Sequence, residues 1–168
     1  MPDSARVEAA ELRAALLDQL AYLMDEVETL RAVVGRVPEP LQAARPLDQG
    51  LSIKEAYGLL AALDETVYLP RFRQMITGNA PSFDPVDERT LAMQGDWNNR
   101  PIEHILQRVQ DARRTLVAFL QEVPPEAWSC VAHFGEVRRD LYGLAYHITQ
   151  HDVDLQRAVG YRLHEIGT

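Results

Sequence analysis

The feature that most constrains the fold is a repeated apolar spacing near the N-terminus. Between about Ser4 and Val34, leucine and valine recur in alternating steps of four and three residues. An α-helix turns once in about 3.6 residues, so this spacing puts these side chains on one face. A helix with one apolar face buries it against other helices. The apolar series is Leu16, Leu20, Leu23, Val27, Leu30 and Val34.

A second helical pattern begins after a proline-containing linker. Ser52 and Glu55 have the spacing of a capping box, in which each side chain bonds a backbone N–H at the helix start. Apolar residues then recur at helical spacing until Gly78. Pro70 falls inside this pattern, so we expect a kink or a break there.

Two further helical patterns follow. The third is expected to be capped by Asn98 or Asn99, to carry Pro101 in its first turn and to stop at Pro124. The fourth is predicted from about Val137 to Leu163. No alternating run of β-branched residues bounded by turn signals is present, so no strands are predicted.

These four patterns predict an all-α protein, a four-helix bundle formed by a single domain over residues 1–168. The linkers, at about 35–50, 80–100 and 126–135, are longer than antiparallel hairpins require. We therefore expect long crossover connections, with at least one between parallel neighbours. The irregular stretch at 80–100 is long enough to cover a functional site.

The charge balance narrows the classes of partner. The formal net charge is −8, and neighbouring arginines occur only in pairs, such as Arg71 and Arg73 or Arg138 and Arg139. An acidic surface repels phosphate backbones, so nucleic-acid binding is not expected. The single cysteine, Cys130, excludes an internal disulfide and a cysteine-based zinc cage.

The N-terminal pattern and the hydropathy predict the compartment. No run of about 18 apolar residues is present, so no membrane span is expected. The first residues lead into a charged amphipathic pattern and do not resemble a signal peptide. The sequence therefore predicts a cytoplasmic protein.

Two histidines make the fourth helix the candidate location of a functional site. Its apolar stripe contains His151 where a leucine would be expected, and His147 lies one turn earlier. An imidazole among leucines needs a hydrogen-bond partner, a proton relay or a metal ion. An i, i+4 pair of histidines is close enough to share one divalent metal, but zinc sites usually add a third protein ligand. The stripe is Leu141, Leu144, Ile148, His151, Leu155 and Val159.

Other candidate side chains come from neighbouring segments. Asp64 on the second helix and Asp152 and Asp154 on the fourth are the nearest carboxylates, and surface solvation is the expected role of each. Asp154 has the spacing to orient His151. His133, in the loop before the fourth helix, is expected at a pocket mouth.

Three motifs, in this order, resemble the DinB/YfiT-like family. They are Ser52-Ile-Lys-Glu55 through Gly58-Leu59-Leu60-Ala61, the loop from Glu126 to Val137 with Trp128 and His133, and Tyr146-His147-Ile-Thr-Gln-His151-Asp152. The resemblance covers about Val37 to Val159. It implies a four-helix bundle, a homodimer and a divalent metal held by three histidines. Relatives use that metal to activate a low-molecular-weight thiol for transfer, or act as metal-dependent hydrolases, and a stress-response role is implied.

This chain departs from the family pattern at the metal ligands. The resemblance places one ligand at Leu59 and the other two at His151 and Leu155. Leucine cannot bind a metal, and one histidine does not hold zinc or nickel tightly. The leading hypothesis is therefore a protein without a metal cofactor that keeps a small-molecule pocket around His151, His147, His133, Leu59 and Leu155.

Two alternatives remain open. In the first, His147 and His151 bind Zn, Ni or Mn together with Asp154 or Asp64, and the protein is a metal-dependent thiol transferase or hydrolase. In the second, the bundle is a non-catalytic dimer that binds a partner protein.

Overall fold

The computed structural model describes residues 2–167, so Met1 and Thr168 of the predicted domain lie outside the described residues. Seven helices account for most of the described chain, and no helix among them is long and apolar enough to cross a membrane. In chain order they are α1 (Pro2–Gly35), α2 (Glu39–Ala43), α3 (Ile53–Leu63), α4 (Leu69–Met75), α5 (Glu88–Gln94), α6 (Ile102–Gln121) and α7 (Leu141–Gly167).

The second helix of the bundle is formed by α3 and α4 together. Ser52 caps α3, and the predicted capping box with Glu55 is present. A π-helical turn, Asp64–Tyr68, joins α3 to α4, and the Leu69 N–H donates to the Asp64 carbonyl. Pro70 has no N–H to continue an α-helical ladder, so the wider turn lies directly before it. The distortion expected at Pro70 is confirmed in this form.

The four long helical segments form a bundle in which α1 and α3 each pack against both α6 and α7. The Ser52 hydroxyl donates to Asn98 beside the start of α6, while Asp64 at the far end of α3 contacts Arg113 farther along α6. The start of α3 thus lies beside the start of α6, and the end of α3 lies beside a later part of α6. The two helices therefore run parallel. The segment 76–101 is therefore a crossover between parallel neighbours, as expected.

Strands are present, contrary to the sequence-based expectation. β1 (Ser82–Phe83) pairs in parallel with β2 (Val131–Phe134), which pairs antiparallel with β3 (Val137–Asp140). The prediction that the fourth helix begins near Val137 is thus wrong, because 137–140 form β3 and α7 starts at Leu141. Runs of two to four residues are too short to show an alternating pattern.

The connection at 80–100 is also more ordered than predicted. It contains β1, α5 and a 3₁₀ turn at Trp97–Asn99. Asp87 caps α5, since its carboxylate accepts the Thr90 N–H at 3.0 Å. The N-cap of α6 is Pro101, not Asn98 or Asn99.

Trp97 packs this connection against the bundle. Its side chain is buried, and it sits directly on two glycines, Gly58 of α3 and Gly95. A Cβ atom on Gly58 would lie 2.1 Å from Cδ2 of Trp97, and one on Gly95 would lie 2.0 Å from its Nε1. Both glycines are therefore required by the close approach of the indole.

Gly58→Ala is expected to lower the free energy of unfolding by about 2–3 kcal/mol, because the methyl group would displace the indole of Trp97. Urea unfolding followed by circular dichroism measures the change. The matched control is Gly160→Ala in α7, where no atom lies within 4 Å of the added Cβ. That variant should gain about 0.5–1 kcal/mol from helix propensity. Equal stabilities of the two variants would contradict the packing described here.

Candidate functional site

A buried charge network joins the four helices of the bundle. Arg113 of α6 is fully buried and contacts Asp64, Asp152 and the Leu20 carbonyl. Its Nε donates to Asp64 Oδ2 at 2.7 Å, and its Nη1 donates to Asp152 Oδ2 at 2.6 Å. Its Nη2 donates to Asp64 Oδ1 at 3.3 Å and to Asp152 Oδ1 at 2.9 Å. With the bond to Leu20, all five N–H donors of the guanidinium are used.

This network corrects two sequence-based expectations. Asp64 and Asp152 were expected to be solvated at the surface, but both are buried as partners of Arg113. Burial lowers the pKa of Arg113, but the charges of Asp64 and Asp152 outweigh that effect and raise it above the ordinary value. The guanidinium therefore stays charged inside the bundle. Because its hydrogen bonds are complete, Arg113 fixes the relative positions of the helices.

His151 contacts a residue that the sequence did not suggest. Its Nε2 forms a short hydrogen bond with Glu88 Oε1, and Glu88 is the first residue of α5. Burial lowers the pKa of His151, but the hydrogen bond and charge of Glu88 raise it above its ordinary value. Asp154, predicted to orient His151, is exposed and lines a cleft that His151 does not line.

A cleft of about 650 Å³ lies between α3, α5 and α7. Leu59 of α3 and Leu155 of α7, the two leucines at expected ligand positions, both line its wall. Charged side chains stand around the apolar part. The charged lining residues are Asp48, Glu88, Arg89, Asp154, Arg162 and Glu165.

A second pocket, of about 210 Å³, lies on the other side of Glu88, between α4, the β-hairpin and α7. His147 and His151 line it together with Arg71 and Arg139. Partial desolvation of the ring, together with the nearby charges of Arg139 and His151, lowers the pKa of His147. We call this second pocket the arginine pocket, and we call the larger cavity the leucine cleft. Glu88 borders both cavities.

The residues predicted to form one pocket thus lie in three places. Leu59 and Leu155 line the leucine cleft, whereas His147 and His151 line the arginine pocket. His133 lies in β2, where its N–H donates to the Pro81 carbonyl, and it lines neither cavity. The structure therefore brings together the two leucines and, separately, His147 and His151, and it leaves His133 apart from both pairs.

The metal implied by the family resemblance does not fit the side chains that are present. Among residues 2–167, no group of three His, Cys, Asp or Glu side chains is placed to share one metal ion. Asp64, which was offered as a partner for His147 and His151, has its carboxylate on Arg113. His151 Nε2 is occupied by Glu88.

Arg113 and Glu88 were missed by the sequence analysis for different reasons. Arg113 lies four residues after Val109 and three before Leu116, which is the spacing of one helix face. Its position on the apolar face could therefore have predicted that it is buried. Glu88 lies in a segment without helical periodicity, and nothing local relates it to His151.

Comparison with known proteins supports the fold. No protein-family model matches this chain, and no curated protein matches it. Among solved structures, the chain is similar to YfiT from Bacillus subtilis, described as a probable metal-dependent hydrolase with an unusual four-helix bundle topology. The TM-score is 0.67 at 16% identity, over 88% of this chain and 87% of YfiT. At this identity the likeness shows the fold alone, and the fold of this chain is an all-α, DinB-like four-helix bundle.

Proposed function

We propose that this chain binds a small, largely apolar molecule in the leucine cleft, without a metal cofactor. The observation that carries the proposal is the position of Leu59 and Leu155. Both occupy positions at which the resemblance implies metal ligands, and both line one cleft. A leucine at each of these positions gives the cleft an apolar wall where the resemblance implies metal-binding side chains.

The size and lining of the leucine cleft support this function. Ligand pockets commonly enclose about 300–1,000 Å³ and combine apolar walls with a few polar groups. The cleft, at about 650 Å³, falls within this range. Ile53, Ala56 and Val159 extend its apolar wall beyond the two leucines. Arg89 and Arg162 at the rim are suited to orient a polar end of the ligand.

Titration with the neutral fluorescent probe N-phenyl-1-naphthylamine tests the proposal. The wild-type chain should bind the probe saturably. Ala158→Trp, which places an indole in the cleft, should weaken binding about tenfold or more, because it fills space that the ligand needs. Low-molecular-weight thiols, the co-substrates implied by the resemblance, are then tested as competitors of the probe.

The matched control is Val153→Trp, which adds the same side chain at an exposed position of α7 that does not line the cleft. It should change the affinity for the probe by less than twofold. The proposal would be refuted if the wild-type chain bound no probe, or if both tryptophan variants lost binding equally.

A second candidate function is metal-dependent hydrolysis or thiol transfer at His147 and His151. The observation that favours it is the fold likeness to YfiT, together with the convergence of these histidines beside Glu88. It requires Glu88 to leave His151 or to become a metal ligand itself. Metal content of the purified protein separates this candidate from the first.

The homodimer implied by the resemblance is likewise proposed. Large apolar side chains, among them Leu12, Tyr22 and Val33, are exposed along α1 and would be available to a second copy. Sedimentation velocity tests it, and a monomer at all concentrations would refute it.

A further inference from the structure

Two arginines that form no salt bridge meet at the arginine pocket, where the charge of Asp84 acts on Arg71. Cζ of Arg71 lies 5.0 Å from the ring centroid of Phe83 and 5.6 Å from that of Phe134. Cζ of Arg139 lies 5.5 Å from the Phe134 centroid. Neither guanidinium forms a salt bridge within the described chain. In a chain with 25 acidic and 17 basic residues, two unpaired arginines around one ring are unexpected.

The aromatic contacts orient the arginines without using their hydrogen bonds. A guanidinium stacked on a ring presents its face to the ring and keeps its N–H edge free. Only Nη2 of Arg71 is engaged, by the Asp84 carbonyl at 2.7 Å. The side chain of Arg139 makes no hydrogen bond within the described residues. Most of the N–H donors on the two groups are thus available to a ligand.

The remaining lining adds two imidazole groups to the two guanidinium groups. His147 and His151 of α7 complete a set of four nitrogen-bearing side chains. Two carboxylates also line it: Glu88 is already bonded to His151, and Asp84 is exposed. The pocket, at about 210 Å³, is small, and the rings of Phe83 and Phe134 form an apolar wall.

We propose that the arginine pocket binds the oxyanion group, phosphate or carboxylate, of a small molecule. Arg71 and Arg139 donate hydrogen bonds to its oxygens, and His147 lies at the edge of the site as a further donor. The two guanidinium groups provide the charge-assisted bonds that phosphate and carboxylate oxygens prefer. This site is separate from the leucine cleft and does not depend on its function.

Isothermal titration calorimetry of the full chain tests the site, with inorganic phosphate in one arm and acetate in the other. Low ionic strength is used because salt screens such contacts. We expect saturable binding of at least one anion, and the stronger of the two identifies the oxyanion class. Arg71→Gln and Arg139→Gln should each weaken that binding about tenfold or more, through loss of charged hydrogen bonds.

Neighbouring arginines provide matched controls. Arg73→Gln in α4 and Arg138→Gln in β3 remove the same charge from exposed positions outside the pocket. They should change the affinity by less than twofold. The proposal is overturned if the wild-type chain binds neither anion, or if the control variants lose as much affinity as the pocket variants.

A measurement on the wild-type chain keeps the test independent of how the variants fold. Backbone amide resonances are followed during titration with the anion that binds. Those of 134–139 and 144–151, beside the pocket, should shift saturably, while those of α2 should not. Shifts distributed evenly over the surface would contradict a single site.

Discussion

Replacing Arg113 by methionine is expected to lower the free energy of unfolding by about 3–5 kcal/mol. Methionine fills much of the same space but leaves Asp64 and Asp152 buried without their cation. An uncompensated buried charge costs far more than the loss of a surface ion pair. Urea unfolding at pH 7 measures the difference.

The neighbouring residue supplies the control. Arg114 pairs with Asp111 at 2.7 Å, and both side chains are more than half exposed. Arg114→Met should therefore change stability by no more than about 0.5 kcal/mol. The deficit of Arg113→Met should also shrink in acid, because the unpaired carboxylates take up protons as the pH falls. Similar losses for both variants would show that the network does not stabilise the bundle.

The double variant Leu59→His, Leu155→His is expected to gain a metal site. The resemblance places these two positions with His151 in a three-histidine set, and one turn of α7 separates 151 from 155. His151 lines the neighbouring pocket, so the metal has to displace Glu88 from its Nε2. Nickel at about 100 times the dissociation constant would add about 2.7 kcal/mol to the stability, a rise in melting temperature of roughly 5–10 °C. Differential scanning calorimetry with and without nickel measures it.

His151 decides whether that gain comes from the intended site. Adding His151→Ala to the double variant should abolish the shift with nickel. Adding Glu88→Gln should enlarge it, because the glutamate competes for Nε2 of His151. A shift that persists without His151, or no shift in the double variant, would mean that these three positions do not form a site in this chain.

The bundle was predictable because its signals are local. The apolar stripe of α1, the capping box at Ser52 and Glu55 and the disruption at Pro70 are each determined by neighbours within a few turns. The strands were missed because β2 and β3 hold only four residues each, and because β1 pairs with β2 from a distant part of the sequence. Short elements of this kind are set by tertiary contact rather than by pattern.

The candidate site was less predictable because it depends on long-range partners. The sequence predicts that Asp64 and Asp152 are surface residues, because their partner, Arg113, lies on a third helix. His147 and His151 line the arginine pocket, whereas Leu59 and Leu155 line the leucine cleft. Glu88, which bonds to His151, borders both cavities. No spacing rule relates Glu88 at the start of α5 to a histidine of α7.

The metal content of the wild-type protein tests whether the chain binds its ligand without a metal cofactor, as we propose. Protein purified without chelators, incubated with zinc or nickel and then desalted, is analysed by inductively coupled plasma mass spectrometry. We expect far less than one metal ion per chain, unchanged by His151→Ala. One tightly bound ion per chain, lost in His151→Ala, would contradict it.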